Sequence, residues 1–208
     1  MAIIAPDPDS GGKNFEPIPQ GPNAAICDMV LDLGMQETKF GVKHQVYLRW
    51  QVPGFRVQWE KDGEEFNKPG IVGQTFTLSM SQKSNLRPLL ESWRGKPFTG
   101  DEIRTFDITK LAGAPCLLNI THNITPDKTY ANIASIMPVP NGMEKPTIEG
   151  EVIVYDADNK QHYDKLPEWL RTKIDNGAAP AAPAATGKQP VPAGELDDDP
   201  FDMDAAPF

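Results

Sequence analysis

Residues 42–52, VKHQVYLRWQV, constrain the fold more than any other stretch of the chain. Val42, His44, Val46, Leu48, Trp50 and Val52 share one parity; Lys43, Gln45, Tyr47, Arg49 and Gln51 share the other. Successive side chains of a strand point to opposite faces, so the run predicts a strand with one face in a core and the other in solvent. Pro53-Gly54 is expected to end it. Before it, Ala24–Leu33 (AAICDMVLDL) also has strand character. Gly34 then marks a bulge or bend, and Gly41 lies near a turn.

Phe55–Trp59 extends a ribbon, with Lys61-Asp62-Gly63 as its turn, and Gly70–Met80 supplies a third strand. A helix follows. Ser84 is its N-cap, and Leu86, Leu89, Leu90 and Trp93 have helical spacing. Pro88 falls in the first turns, where the missing N–H is tolerated. Thr99 caps a second short helix, and Leu111-Ala112-Gly113 makes a turn. Pro115–His122 and Tyr130–Met137 are strands joined by Asn123–Thr129. Gly150–Tyr155 adds an edge strand and Pro167–Ile174 an amphipathic helix. Three strands, a helical insert and two strands are the element order of a five-stranded OB-fold barrel, with the insert between strands 3 and 4. The fold class expected is therefore mainly β.

The end of the chain has a different composition. Residues 176–194 are an Ala/Pro-rich linker with one charge, Lys188. Glu195–Phe208, ELDDDPFDMDAAPF, carries six acids and no base, too few apolar groups to form a core, and is expected to be a disordered tail. Phe201 and Phe208 nonetheless stand in it, each after a proline. An aromatic on an acidic string suits a pocket with an apolar floor and a basic rim. A docking peptide is favoured here over a solubility tail. Its binding groups are Asp197, Asp198, Asp199, Pro200, Phe201, Asp202, Asp204, Pro207 and Phe208.

The net charge of −9 counts against a nucleic-acid binder, but its distribution softens the objection. Lys188 against six acids leaves −5 in residues 176–208. In residues 15–140, thirteen bases balance thirteen acids. Residues 1–14 lack the basic and apolar regions of a secretory signal and are expected to be a flexible lead-in. No apolar run approaches a membrane span. Cys27 and Cys116 lie in apolar strand contexts and are expected as buried thiols in a reducing cytoplasm.

Two segments carry a family resemblance. The acidic tail ending in Pro-Phe resembles that of bacterial-type single-stranded DNA-binding proteins. Met29–Pro53, Ser81–Glu102 and Gly113–Pro140 resemble phage-encoded single-stranded DNA-binding proteins with an OB fold, over most of residues 24–140. The resemblance implies sequence-independent binding of single-stranded DNA in replication, recombination or repair, with no cofactor. It implies a tail that recruits a polymerase, helicase, nuclease or recombinase and competes with DNA for the protein's own basic groove. It also implies location in the host bacterial cytoplasm, as monomer, dimer or tetramer. The domain plan is residues 1–14, an OB-fold body with a C-terminal appendage over 15–175, linker 176–194 and tail 195–208.

In such a fold the strand lies over strands 2 and 3, between the loops joining strands 1–2 and 4–5. Lys43, Tyr47 and Arg49 are the expected phosphate and base contacts on the solvated face. Lys39 and Phe40 occupy the first loop, and Lys128 and Tyr130 flank the last. Phe55 and Trp59 on the ribbon can serve core or DNA equally. Lys83, Arg87, Arg94 and Lys96 surround the helix with only Glu91 opposing, as a phosphate site or a dock for the acidic tail. Trp50 and Trp93 are expected in the core. No HxxxH, CxxC, Walker or GxGxxG pattern supports a metal site or an enzyme. The alternatives are an OB-like protein-interaction scaffold and a recombination annealing protein.

Overall fold

The computed structural model describes residues 16–61, 63–126, 128–156 and 158–177. The lead-in expected at 1–14, the linker from residue 178 and the acidic tail lie outside the described residues.

One sheet of six strands forms the body: β1 (Gly21–Thr38), β2 (Gly41–Lys61), β3 (Glu64–Thr77), β4 (Pro115–Ile124), β5 (Thr129–Met137) and β6 (Ile153–Tyr155). The hydrogen-bonded path is β3-β2-β1-β4-β5, antiparallel throughout, with β6 parallel to β1. No ladder joins β3 to β5 among the described residues, so the sheet is not closed. Between β3 and β4 lie α1 (Leu86–Arg94), α2 (Gly100–Thr105) and a 3-10 turn at Ile108–Leu111; α3 (Glu168–Asn176) ends the described body. The helical segment thus sits between the third and fourth strands, as the sequence predicts.

β1 is long because it changes partner along its length. Residues Gly21–Ile26 pair with β4, and Met29–Leu31 pair with β6. The change falls at a bulge that leaves Asp28 out of the register with β2, and a second irregularity follows between Asp32 and Gly34. Gly34 has φ 69°, a left-handed conformation that glycine reaches without a Cβ penalty. Pro53-Gly54 does not end β2. The register shifts between Val52 and Arg56 and then resumes, carrying β2 and β3 outward as a ribbon. A proline lacking an N–H is accommodated where the ladder is already interrupted.

The caps follow local chemistry. Thr99 and Glu102 form the reciprocal capping box of α2. At α1 the Ser84 hydroxyl accepts the Arg87 N–H at 3.4 Å, although Asn85 is the residue that precedes the helix.

Two cores lie on opposite faces of the sheet. The first holds Val46, Leu48, Trp50 and Val52 of β2 with Cys27, Val30, Leu118 and Ile136, closed by Leu86, Leu90 and Trp93 of α1. Trp93 donates its indole N–H to the Pro115 carbonyl at 3.0 Å. Cys27 and Cys116 are buried free thiols here, and burial pushes both pKa values up. The second core lies on the face of β2 expected to be solvated, where the amphipathic helix packs back on the body. Met29, Leu31, Leu33 and Tyr47, with Ile153 and Tyr155 of the adjoining β6, pack against Leu166 and Leu170, so α3 and the turn before it cover the outer face of this part of the sheet. Gln36 fixes α3 in place by donating to the Lys173 carbonyl at 2.7 Å. Among the described residues no helix is long and apolar enough to cross a membrane.

Candidate nucleic-acid interface

The hairpin joining β1 to β2 turns through Lys39 and Phe40. The Thr38 hydroxyl donates to the Gly41 carbonyl at 2.6 Å and accepts the Phe40 N–H at 3.2 Å. Gly41 has φ 88°, as so tight a turn requires. This geometry leaves Phe40 74% exposed, with the Lys39 ammonium 4.7 Å from its ring centroid. An aromatic held in water with a cation over its face offers a stacking surface and a phosphate contact together. Val42 beside it is also exposed.

The hairpin joining β4 to β5 has a similar end. The Thr125 hydroxyl donates to the Lys128 carbonyl at 2.8 Å and accepts the Lys128 N–H at 3.2 Å. Ile124 is 76% exposed, and the Lys128 ammonium lies 5.8 Å from the Tyr130 centroid.

A third feature brings together two cations from distant parts of the chain. Lys43 of β2 and Lys83 before α1 line one polar groove of about 410 Å³ with Gln45, Thr75, Thr77 and Ser79. Both lysines are exposed, and neither forms an ion pair among the described residues. The Gln74 carboxamide oxygen, also in the groove, is buried without a hydrogen-bond partner among the described residues. Sequence reading placed Thr75, Thr77 and Ser79 on one strand face but had no means of joining them to Lys83.

Other expected contacts are not available at the surface. Tyr47 is 3% exposed and meets Trp169 edge-on at 5.4 Å. Burial pushes its hydroxyl pKa up to about 12. Arg49 grips buried Asp28, with its Nη2 2.7 Å from Oδ2 and its Nε 3.0 Å from Oδ1; Gln51 adds a bond to the same carboxylate. Tyr47 and Arg49 have the parity that the alternation assigns them, but that face is covered by α3 and the turn before it rather than solvent.

Phe55 packs against the first core beside Gly70, where an added Cβ would meet its ring at 2.7 Å. Trp59 stacks on Phe66 at 5.2 Å across the ribbon, so its ring is taken up by the partner strand. Around the helix, Arg87 pairs with Glu91 at 3.0 Å. Arg94 pairs with Glu102 at 2.7 Å, a partner that sequence reading missed. Lys96 is exposed beyond α1 and forms no ion pair among the described residues. Of the four cations around the helix, Lys83 and Lys96 are thus the two outside any ion pair among the described residues. Among the described residues no group of three His, Cys, Asp or Glu side chains could hold a metal ion. Comparison with family models, with curated proteins and with solved structures returns no match for this chain.

Proposed function

We propose that this chain binds single-stranded DNA without sequence preference and brings replication or recombination proteins to it through the acidic tail. The observation that carries the reading is Phe40, a large aromatic held in solvent by its own turn beneath a lysine. The second cation–aromatic hairpin and the Lys43–Lys83 groove support it. The reading takes the fold as an OB fold. In its favour are the strand path β3-β2-β1-β4-β5 and the helical segment after β3, which suit a partly open five-stranded barrel. Phosphates meet Lys39, Lys43, Lys83 and Lys128, while bases stack on Phe40 and Tyr130. No covalent step is involved.

Fluorescence anisotropy of labelled oligo-dT and a matched duplex, over a salt series with the full chain, tests this. Tight binding to the single strand that weakens with salt, with duplex far weaker, is the expected result. Equal binding to both, or none at low salt, overturns it.

A further inference from the structure

The helical segment and the chain after β5 enclose a pocket of about 600 Å³. No residue that lines it also lines the Lys43–Lys83 groove. Its floor is apolar, with Leu90, Trp93, Phe98, Phe106 and Leu111. Local bonds fix that floor before anything enters. The Trp93 indole N–H is held by the Pro115 carbonyl, and the Phe98 N–H donates to the Glu91 carboxylate at 3.1 Å. Phe98 and Phe106 meet edge to face at 5.0 Å, and the Arg94 guanidinium lies 4.3 Å from the Phe98 centroid. Sites for small molecules are concave, largely pre-formed and mostly apolar, about 300–1,000 Å³ in volume, with a few charged groups that orient the ligand. The pocket has that size and build.

The charged side chains decide what kind of ligand it suits. Arg94, Lys110 and Lys145 line it against Glu102 and Asp107, a surplus of one positive charge. Glu102 is taken up by Arg94 at 2.7 Å, and Asp107 accepts both the N–H and the hydroxyl of Thr109. Lys110 and Lys145 are exposed and form no ion pair among the described residues. They come from separate segments, the 3-10 turn and the chain after β5, so one anionic group can draw on both. A flat ring packs on an aromatic floor edge to face or offset. A polyanion fits less well, because its further charges meet Glu102 and Asp107 in the same pocket.

We propose that this pocket binds a small aromatic monoanion, with the flat ring on the Trp93, Phe98 and Phe106 floor and a single carboxylate or sulfonate at Lys110 and Lys145. The site does not depend on DNA binding.

Titration of the full-length chain with anilinonaphthalene sulfonate, an aromatic monoanion whose emission rises in apolar surroundings, tests it. Binding should saturate at one probe per chain. Naphthoate should displace the probe, and naphthol, the same ring without the charge, should do so about tenfold less well. Lys110→Ala with Lys145→Ala should weaken binding by about tenfold, and Asp107→Asn, which removes an opposing charge, should tighten it by about threefold. Both lysines are exposed, so their removal leaves the fold intact. In an NMR spectrum of the indole N–H groups, the Trp93 resonance should move on titration while those of Trp59 and Trp169 stay. Unsaturated binding, unchanged affinity in the lysine pair, or naphthol as effective as naphthoate overturns the proposal. So does loss of the probe in Phe40→Ala, which would put it at the exposed hairpin. Displacement by oligo-dT as readily as by naphthoate gives the pocket to nucleic acid and overturns it as well.

Discussion

Asp28 is fully buried between Arg49 and Gln51, and this turns a charge that looked available for phosphate into a structural one. Alternation assigned Arg49 and Tyr47 correctly to the face opposite Trp50. It could not say what lies on that face, because the residues that cover it, Leu166, Trp169 and Leu170, are more than a hundred positions away. Removing Arg49 leaves an uncompensated buried carboxylate, so Arg49→Ala should cost about 3–5 kcal/mol in a denaturant melt. Lys43→Ala, at an exposed site, should change stability by about 0.5 kcal/mol or less. Gly73 gives a second test of the same face. A Cβ there would lie 1.9 Å from the Tyr47 hydroxyl oxygen. Gly73→Ala should destabilise by about 1–3 kcal/mol through overpacking, with much of the loss recovered when Tyr47 is shortened to Leu in the double variant.

The elements themselves were largely legible, because their signals are local. The Thr99–Glu102 capping box, the Gly34 irregularity and the short helix before residue 177 follow from neighbouring residues. Pro53-Gly54 misled because a proline marks either a strand end or a bulge, and the pairing of Arg56–Lys61 with Glu64–Pro69 decides between them. The α2 capping box also predicts an acid response. The Arg94 side-chain bond, then the Thr99 N–H, hold the Glu102 pKa at about 2, down from an ordinary 4.5. A carboxylate depressed on folding stabilises fully above the unfolded value and loses that contribution as pH falls through the folded one. The start of α2 should therefore loosen between about pH 4.5 and 2. Amide exchange at Phe98–Thr105 across that range should show the loosening, and Glu102→Gln should show it already at neutral pH. On the other face, Leu170 is 1% exposed and anchors α3. Leu170→Ala should cost about 2–5 kcal/mol and undock the helix, seen as accelerated exchange over Glu168–Asn176.

For the whole molecule, the covered outer face removes the centre of β2 from the candidate contacts of the proposed DNA-binding reading. That reading then rests on the two hairpin ends and the Lys43–Lys83 groove. This shift was the part of the site least visible in sequence, since it depends on where the chain returns after β5. It makes a prediction that separates an interface at the edges from one on the sheet face. Phe40→Ala should weaken oligo-dT binding by about 1–3 kcal/mol, the worth of one stacked base. Lys43→Ala with Lys83→Ala should lower the magnitude of the slope of log K against log salt by about 1.4, two phosphates at about 0.7 each for a single strand. Tyr47→Phe keeps the ring against Trp169 and removes only a buried hydroxyl, so affinity and slope should stay at wild-type values. If Tyr47→Phe instead weakens binding as much as Phe40→Ala, the strand reaches the face beneath α3, and that helix must leave for DNA to bind.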